Sequence, residues 1–247
     1  MARLPIDDTT RLLVLTGAGA SKDSGIPTFR DAGGLWENHR VEDVGSPEGF
    51  ARDPQLVWRF YSQRRAGVLR AEPNAGHHAL ASVEERLGDR FLLVTQNVDG
   101  LHARAGSRRS IELHGSLLFT RCSRCDREPF EDHDLYETPP FCGRCEARGE
   151  TSILRPHIVW FGEAIDRAHL DRIERFAVEA KDRLILLAVG TSGVVYPAAG
   201  LVDACRKVGG RSWLLNAEPA ANAEAFDHVV LGRAAELLPE LLRGASG

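Results

Sequence analysis

Five short apolar runs punctuate the chain, at 12–15 (LLVL), 91–95 (FLLVT), 184–189 (LILLAV), 213–215 (WLL) and 229–231 (VVL). They are apolar throughout rather than alternating, the pattern of buried parallel strands covered on both faces. Between and around them, apolar positions recur at helical spacing over 54–69, 75–87, 168–180, 197–208 and 234–242. Strands alternating with helices predict an α/β fold, a doubly wound parallel Rossmann-like sheet. Ligands of such sheets lie beyond the carboxyl ends of the strands. The polar turns that follow the apolar runs are therefore the candidate site.

The stretch 120–150 breaks this alternation. It has few aliphatic residues, many charges and four cysteines, Cys122, Cys125, Cys142 and Cys145. Such a segment cannot build a core by burial alone and needs a staple. The cysteines form two C-x-x-C knuckles separated by residues 126–141. That spacing suits a tetrahedral thiolate site for one Zn ion, and four thiolates leave no open position for water, so the role is structural. The expected organisation is a Rossmann-like domain over 1–119 and 151–247, interrupted by a small zinc-binding module over 120–150. Cys205 stands alone on a predicted helix and reads as a core residue.

Composition narrows the function classes. The chain of 247 residues is 43% hydrophobic and 27% charged, with a net charge of −4. No basic excess marks a general nucleic-acid binder. The opening MARLPIDDTT lacks the apolar core of a secretory signal, and no apolar run is long enough to span a bilayer. The expectation is a cytoplasmic protein without membrane or nucleic-acid partners, and a monomer by default. In a reducing compartment its cysteines are metal ligands or core residues rather than disulfides.

The first apolar run leads into GAGASKDSGIPTFR, residues 17–30. Gly17 and Gly19 would allow close approach of backbone to a phosphate, with turn amides and Ser21 as donors. G-x-G alone marks a tight strand–helix turn equally well. Lys22 stands where a dinucleotide fingerprint has its third glycine. Glu37, near the place of the ribose-binding acid, falls in a loop rather than at a strand end, which argues against a hydride-transfer enzyme. Other strand ends carry Gln96, Asn97, Asp99 and His102 in TQNVDGLH, His114 in LHGS, Gly190, Thr191 and Ser192 in GTS, and Asn216 to Glu218 in NAE. Amide and hydroxyl side chains in these turns suit ribose hydroxyls and an adenine edge.

Taken with ELHG, the paired knuckles and RPHIVWFGE, these motifs occur in the order found in sirtuins, and the chain resembles the short bacterial members of that family of NAD-dependent protein-lysine deacylases. The resemblance implies NAD as co-substrate. It places Gly17, Ala18, Gly19 and Ser21 along the NAD phosphates, and Phe29, Arg30 and Trp36 in the cofactor-binding segment. Gln96 would touch the ribose, and Gly190, Thr191, Ser192, Asn216 and Glu218 the adenosine half. Asn97 and Asp99 would orient nicotinamide, its ribose and water; Asp99 as a helix N-cap is the competing reading. His114 matches the general base, a task suited to a pKa near neutrality.

The chemistry implied is attack of the acyl-lysine amide oxygen on the anomeric carbon as nicotinamide leaves. The resulting imidate opens through a ribose hydroxyl to give free lysine and O-acyl-ADP-ribose. Val159, Trp160, Phe161 and Gly162 resemble the segment along which the acylated protein or peptide adds as a strand, facing residues 193–196; core packing is the alternative for the two aromatic residues. Tyr61 and Arg64, three apart on one predicted helix face, match the Tyr-x-x-Arg pair of sirtuins that remove malonyl, succinyl or glutaryl groups, and Gly45 falls where that class keeps a small residue. A solvated helix face is the alternative for Arg64. Deacetylation and removal of acidic acyl groups are both expected. A mono-ADP-ribosyltransferase on the same scaffold and a non-catalytic zinc-ribbon binding module are the rival readings.

Overall fold

The computed structural model describes residues 3–27, 36, 39–191 and 200–243. Phe29, Arg30, Glu37, Ser192 and residues 193–199 lie outside the described residues, and with them the first residues of the helix expected over 197–208. In chain order the strands are β1 (Arg11–Thr16), β2 (Phe91–Thr95), β3 (Ser110–Glu112), β4 (Gly115–Cys122), β5 (Phe130–Glu131), β6 (Leu154–Ile158), β7 (Leu184–Val189), β8 (Arg211–Asn216) and β9 (His228–Leu231). The helices are α1 (Val41–Val44), α2 (Pro47–Arg52), α3 (Pro54–Arg70), α4 (Ala75–Leu87), α5 (Leu101–Arg104), α6 (Gly143–Glu146), α7 (Arg167–Ala180), α8 (Leu201–Lys207) and α9 (Ala234–Leu241).

Six strands form a parallel sheet in the order β3-β2-β1-β7-β8-β9. Successive side chains of β1 explain why its sequence does not alternate: Leu12 and Val14 pack with α4 and α9, whereas Leu13 and Leu15 pack with α7. Each face is covered by helices, so both sets of positions must be apolar. The strand order reverses at β1, which puts the topological switch point, and the crevice that goes with it, at the carboxyl ends of β1 and β7.

The run at 229–231 does form a strand, but not a buried one. As β9 it closes one edge of the sheet, with Val229 44% and Leu231 56% exposed. An edge strand has one neighbour to hide it, and apolar composition alone does not reveal that position.

A second, antiparallel sheet, β5-β4-β6, carries the cysteines. Its strands reach beyond 120–150 on both sides. Leu117, Cys122, Cys142, Cys145, Leu154 and Ile158 share one apolar cluster with Trp58, Phe60 and Tyr61 of α3. The cysteine-rich segment thus leans on α3 for the core it cannot supply itself. Trp58 Nε1 donates to the Leu154 carbonyl at 2.9 Å. Arg65 lies deeper still, 3.1 Å from Asp132 and donating to the Leu117 and Asp134 carbonyls and to Thr120 Oγ1. A buried guanidinium is tolerable only when paired and hydrogen-bonded in this way. No helix among the described residues is long and apolar enough to cross a membrane.

Candidate active site

At the switch point the turn after β1 nests against the turn after β7. Gly17 N donates to the Val189 carbonyl and Gly19 N to the Gly190 carbonyl, both at 2.9 Å. A Cβ on Gly17 would stand 2.7 Å from the Gly190 oxygen, and one on Gly19 would stand 2.6 Å from the Gly190 Cα. Gly190 itself has φ +62, and a Cβ there would lie 2.3 Å from Ala20 N. The three glycines therefore let two backbone turns interlock, and the amides of Gly17 and Gly19 are committed to that contact rather than turned outward as phosphate donors. Ala18 and Gly19 border the crevice as half-buried residues.

Ser21, fully buried, is the centre of a hydrogen-bond network below this turn. Its hydroxyl donates to Asp99 Oδ2 at 2.7 Å and accepts from Asn97 Nδ2 at 3.0 Å. Asn97 Nδ2 also donates to the Gly17 carbonyl. His77 Nδ1 accepts from the Asn74 amide at 3.2 Å, so its proton sits on Nε2, which faces Ser21 Oγ at 3.4 Å. Burial holds the His77 pKa below its ordinary value, with the Asp99 charge opposing. Asp99 Oδ1 accepts from the Leu101 amide at 2.9 Å in an Asx-type turn just before α5, whose N-cap position is Gly100 and not Asp99, while Oδ2 serves the network. Asp99 thus holds a local turn and the crevice network together. Nearby Glu112 is pushed up to about 7 by burial and by the Asp99 charge.

Asn74 ties the network to the rest of the fold. Its Oδ1 caps α4, while Nδ2 donates to the Ala20 carbonyl and to Ser24 Oγ. Sequence reasoning passed over Asn74 and His77. Their Asn-x-x-His spacing is that of a capping pair, which is legible, but their contact with Ser21 is tertiary. His102, read among the polar turn residues, is instead sealed under the sheet end. Its Nε2 is 2.9 Å from Thr16 Oγ1, and burial pushes its pKa down to about 3.

A chain of contacts then runs across the strand ends. His114, just before β4, donates from Nδ1 to the Gln96 carbonyl at 3.0 Å. A carbonyl can only accept, so the proton is on Nδ1 and the Nε2 lone pair is open. Burial holds the His114 pKa below its usual value, opposed by this hydrogen bond. Gln96 Oε1 accepts from Thr191 Oγ1 at 3.1 Å, and Thr191 exchanges backbone bonds with the Asn216 side chain at 3.0 and 2.8 Å. Glu218 is exposed just beyond. Amide and hydroxyl groups from the ends of β2, β7 and β8 thus line one crevice with an imidazole at its rim, a donor set fitted to a polyhydroxyl ligand.

The second constellation lies beside α3. Tyr61 is buried, and its hydroxyl accepts from Trp160 Nε1 at 2.9 Å. Burial pushes its pKa up, so the phenol keeps a proton to donate. The Arg64 guanidinium carbon lies over the Trp36 ring, 4.6 Å from its centroid. The Gly45 carbonyl accepts from Phe161 N at 2.9 Å, and a Cβ on Gly45 would meet Trp36 Cζ3 at 3.4 Å. Tyr61, Arg64, Gly45, Trp36 and Trp160 are brought together. Val159 N donates to the His114 carbonyl at 2.9 Å, joining this group to the imidazole. Of the two aromatic residues with a packing alternative, Trp160 is buried and Phe161 is 53% exposed. Gly162, with φ +87, turns the chain so that Glu163 can meet Arg155 at 2.6 Å.

In the small sheet, Cys122 Sγ lies 3.8 Å from Cys145 Sγ, and Cys125 Sγ 3.9 Å from Cys142 Sγ. All four sulfurs fall within 4.8 Å of one another. Four thiolates about 2.3 Å from a Zn²⁺ define a tetrahedron with edges of about 3.8 Å, so the cluster fits one structural zinc.

Comparison with known proteins yields one consistent family. Residues 17–197 match the sequence profile described as the Sir2 family. The chain is similar to NAD-dependent protein deacylase 2 of Pyrobaculum aerophilum, 46% identical over 93% of this chain and 89% of that protein. It is also similar to the NAD-dependent protein deacylase of Salmonella typhimurium, 47% identical over 95% of this chain and 84% of the relative. Among solved structures, a Sir2 homolog–NAD complex superposes with a TM-score of 0.84 at 40% identity, covering 98% and 94% of the two chains. A Sir2 homologue mutant in complex with 2′-O-acetyl ADP ribose gives 0.83 at 42% identity, over 94% and 90%. Sir2 bound to acetylated peptide gives 0.78 at 29% identity, over 94% and 91%.

Proposed function

The chain belongs to the Sir2 family, and from that premise we propose that this NAD-dependent protein deacylase removes both acetyl and acidic acyl groups, succinyl or malonyl, from protein lysines. Nicotinamide and O-acyl-ADP-ribose are the products of this reading. The co-substrate supplies an electrophilic sugar carbon once its glycosidic bond breaks. The chain's own residues bind, orient and move a proton. Gln96, Thr191 and Asn216 offer amide and hydroxyl groups to ribose and adenosine. Asn97 and Asp99, locked together through Ser21, orient the nicotinamide end. Exposed Phe161, with Val159 and Gly162, borders the path of the acyl-lysine peptide.

His114 is the general base. The Gln96 carbonyl fixes its tautomer, and burial keeps the ring neutral at pH 7, so Nε2 is ready to accept a ribose hydroxyl proton. The base works only unprotonated, and its pKa lies below the ordinary value of 6.5. Deacylation kcat/KM is therefore expected to be flat from pH 7 to 8 and to fall as pH drops through that lowered pKa. A rate that rises on acidification from pH 7 to 5 contradicts the assignment.

The observation that carries the acyl preference is the placing of Arg64 beside Tyr61 and Trp36. A guanidinium and a protonated phenol form the donor pair that a distal carboxylate needs, and a charge-assisted hydrogen bond of this kind is worth about 1.5–3 kcal/mol. Arg64→Met is expected to lower kcat/KM on a succinyl-lysine peptide about 10- to 100-fold relative to its acetyl-lysine counterpart. Equal losses on the two peptides in side-by-side kinetics contradict the preference.

A further inference from the structure

We propose that Glu163 is a positioning residue for the acyl-lysine peptide: gripped by Arg121 and Arg155 of the small sheet, its carboxylate holds the Trp160 amide and so fixes the segment along which the peptide adds. The inference rests on the reading that Val159, Phe161 and Gly162 border the peptide path. It goes beyond that reading by naming what sets the segment in place.

The register of the small sheet supplies the first observation. Arg121 of β4 and Arg155 of β6 are directly paired across the two strands. Like charges facing each other in this way are destabilising unless an anion joins them. Glu163, from the turn after β6, is that anion. Its carboxylate meets Arg155 at 2.6 and 2.9 Å, a bidentate pair, and Arg121 at 3.3 Å. Arg155 is 8% exposed, so removing the carboxylate strands a buried guanidinium.

The same carboxylate organises the peptide-bordering segment. Glu163 Oε2 accepts from the Trp160 amide at 2.9 Å, and Glu163 N donates to the Trp160 carbonyl at 3.0 Å. Together these bonds close a turn over 160–163 around Gly162. The neighbouring amides of Val159 and Phe161 donate to the backbone carbonyls of His114 and Gly45, whereas that of Trp160 depends on a side chain. Arg155 supports the same residue from another side. Its Cζ lies over the Trp160 ring, 3.4 Å from the centroid, and its Nη2 donates to the Ile158 carbonyl at 3.0 Å. One ion pair thus fixes both the backbone and the indole of Trp160. A peptide that adds as a strand takes its affinity from main-chain bonds, and these reward a backbone that is already in place.

The experiment measures kcat, KM for peptide and KM for NAD in the unsubstituted protein, Glu163→Ala and Glu163→Gln. The peptides carry acetyl-lysine or succinyl-lysine, and a third, acetylated one is N-methylated on the backbone amides flanking the acyl-lysine. Glu163→Ala is expected to raise KM for the acetyl and succinyl peptides alike, about tenfold, because it acts on the backbone and not on the acyl end. KM for NAD is expected to stay within about twofold. Glu163→Gln keeps an oxygen for the Trp160 amide and drops the charge; it is expected to raise peptide KM about threefold, and it carries the test if the alanine protein does not fold. Partial unfolding lowers the fraction of active protein, and hence kcat, but leaves KM in place. N-methylation is expected to cost the unsubstituted protein about tenfold in kcat/KM and the variants less, since both changes remove the same main-chain bonds. If N-methylation costs the unsubstituted protein but peptide KM stays unchanged in the variants, the Glu163 role is overturned alone. Equal rises in KM for peptide and for NAD, or an undiminished N-methylation penalty in the variants, likewise overturn it. If N-methylation costs nothing, strand addition itself fails, and the Glu163 role with it.

Discussion

Replacing His114 with alanine is expected to lower NAD-dependent deacylation about 10²- to 10⁴-fold with little change in the melting temperature. The ring is half-buried at the crevice rim and makes one hydrogen bond among the described residues, to the Gln96 carbonyl, so its removal strips no buried ion pair there. Gln96 keeps its backbone bond to Thr16 and its contact with Thr191, and the strand ends stay in place. The loss should appear in the step that needs a base. Initial cleavage of NAD, followed by exchange of labelled nicotinamide in the presence of acyl-peptide, should survive better than turnover. A His114→Ala protein of undiminished kcat removes the base assignment.

Losing the metal should cost more than a catalytic group does, because it reaches the fold. Cys142 is buried at the centre of the cluster that also holds Trp58 and Tyr61. Cys142→Ser is expected to abolish binding of the one zinc per chain and to lower the melting temperature by at least about 10 °C, since metal binding and folding of a small cysteine module are one equilibrium. Activity falls with it, because the strand running from β6 into Val159–Trp160 and the α3 face bearing Arg64 lean on the same cluster. Metal analysis and a thermal scan test this together. A variant that keeps its zinc, or loses it and melts unchanged, contradicts the structural role.

The central strands were legible because burial on two faces leaves an unbroken apolar run, and the two knuckles because ligand spacing is local. The edge exposure of β9 was hidden, since Val229 and Leu231 are as apolar as any core pair. β3 was missed because three residues, SIE, carry no pattern of their own. The run QRR in α3 shows the limit of spacing arguments. Arg64 and Arg65 look alike in sequence, yet one helical step sends Arg65 into the small-sheet core against Asp132 and leaves Arg64 over Trp36. Gly17 and Gly19 were read either as a phosphate cradle or as a tight strand–helix turn, and their close contact with Gly190 is a packing fact that no local motif contains. Ser21 was read as a phosphate donor beside the turn amides; its burial among Asp99 and His77, which come from distant turns, is a tertiary feature that the motif does not carry.

The most direct test couples the two bonds that the account says must break together. Purified protein is incubated with a succinyl-lysine or acetyl-lysine peptide, with and without NAD, and the products are counted by mass spectrometry. The account predicts one nicotinamide and one O-acyl-ADP-ribose for each lysine freed, and no freed lysine without NAD. Lysine freed at full rate in the absence of NAD, or a peptide that gains ADP-ribose and keeps its acyl group, contradicts it.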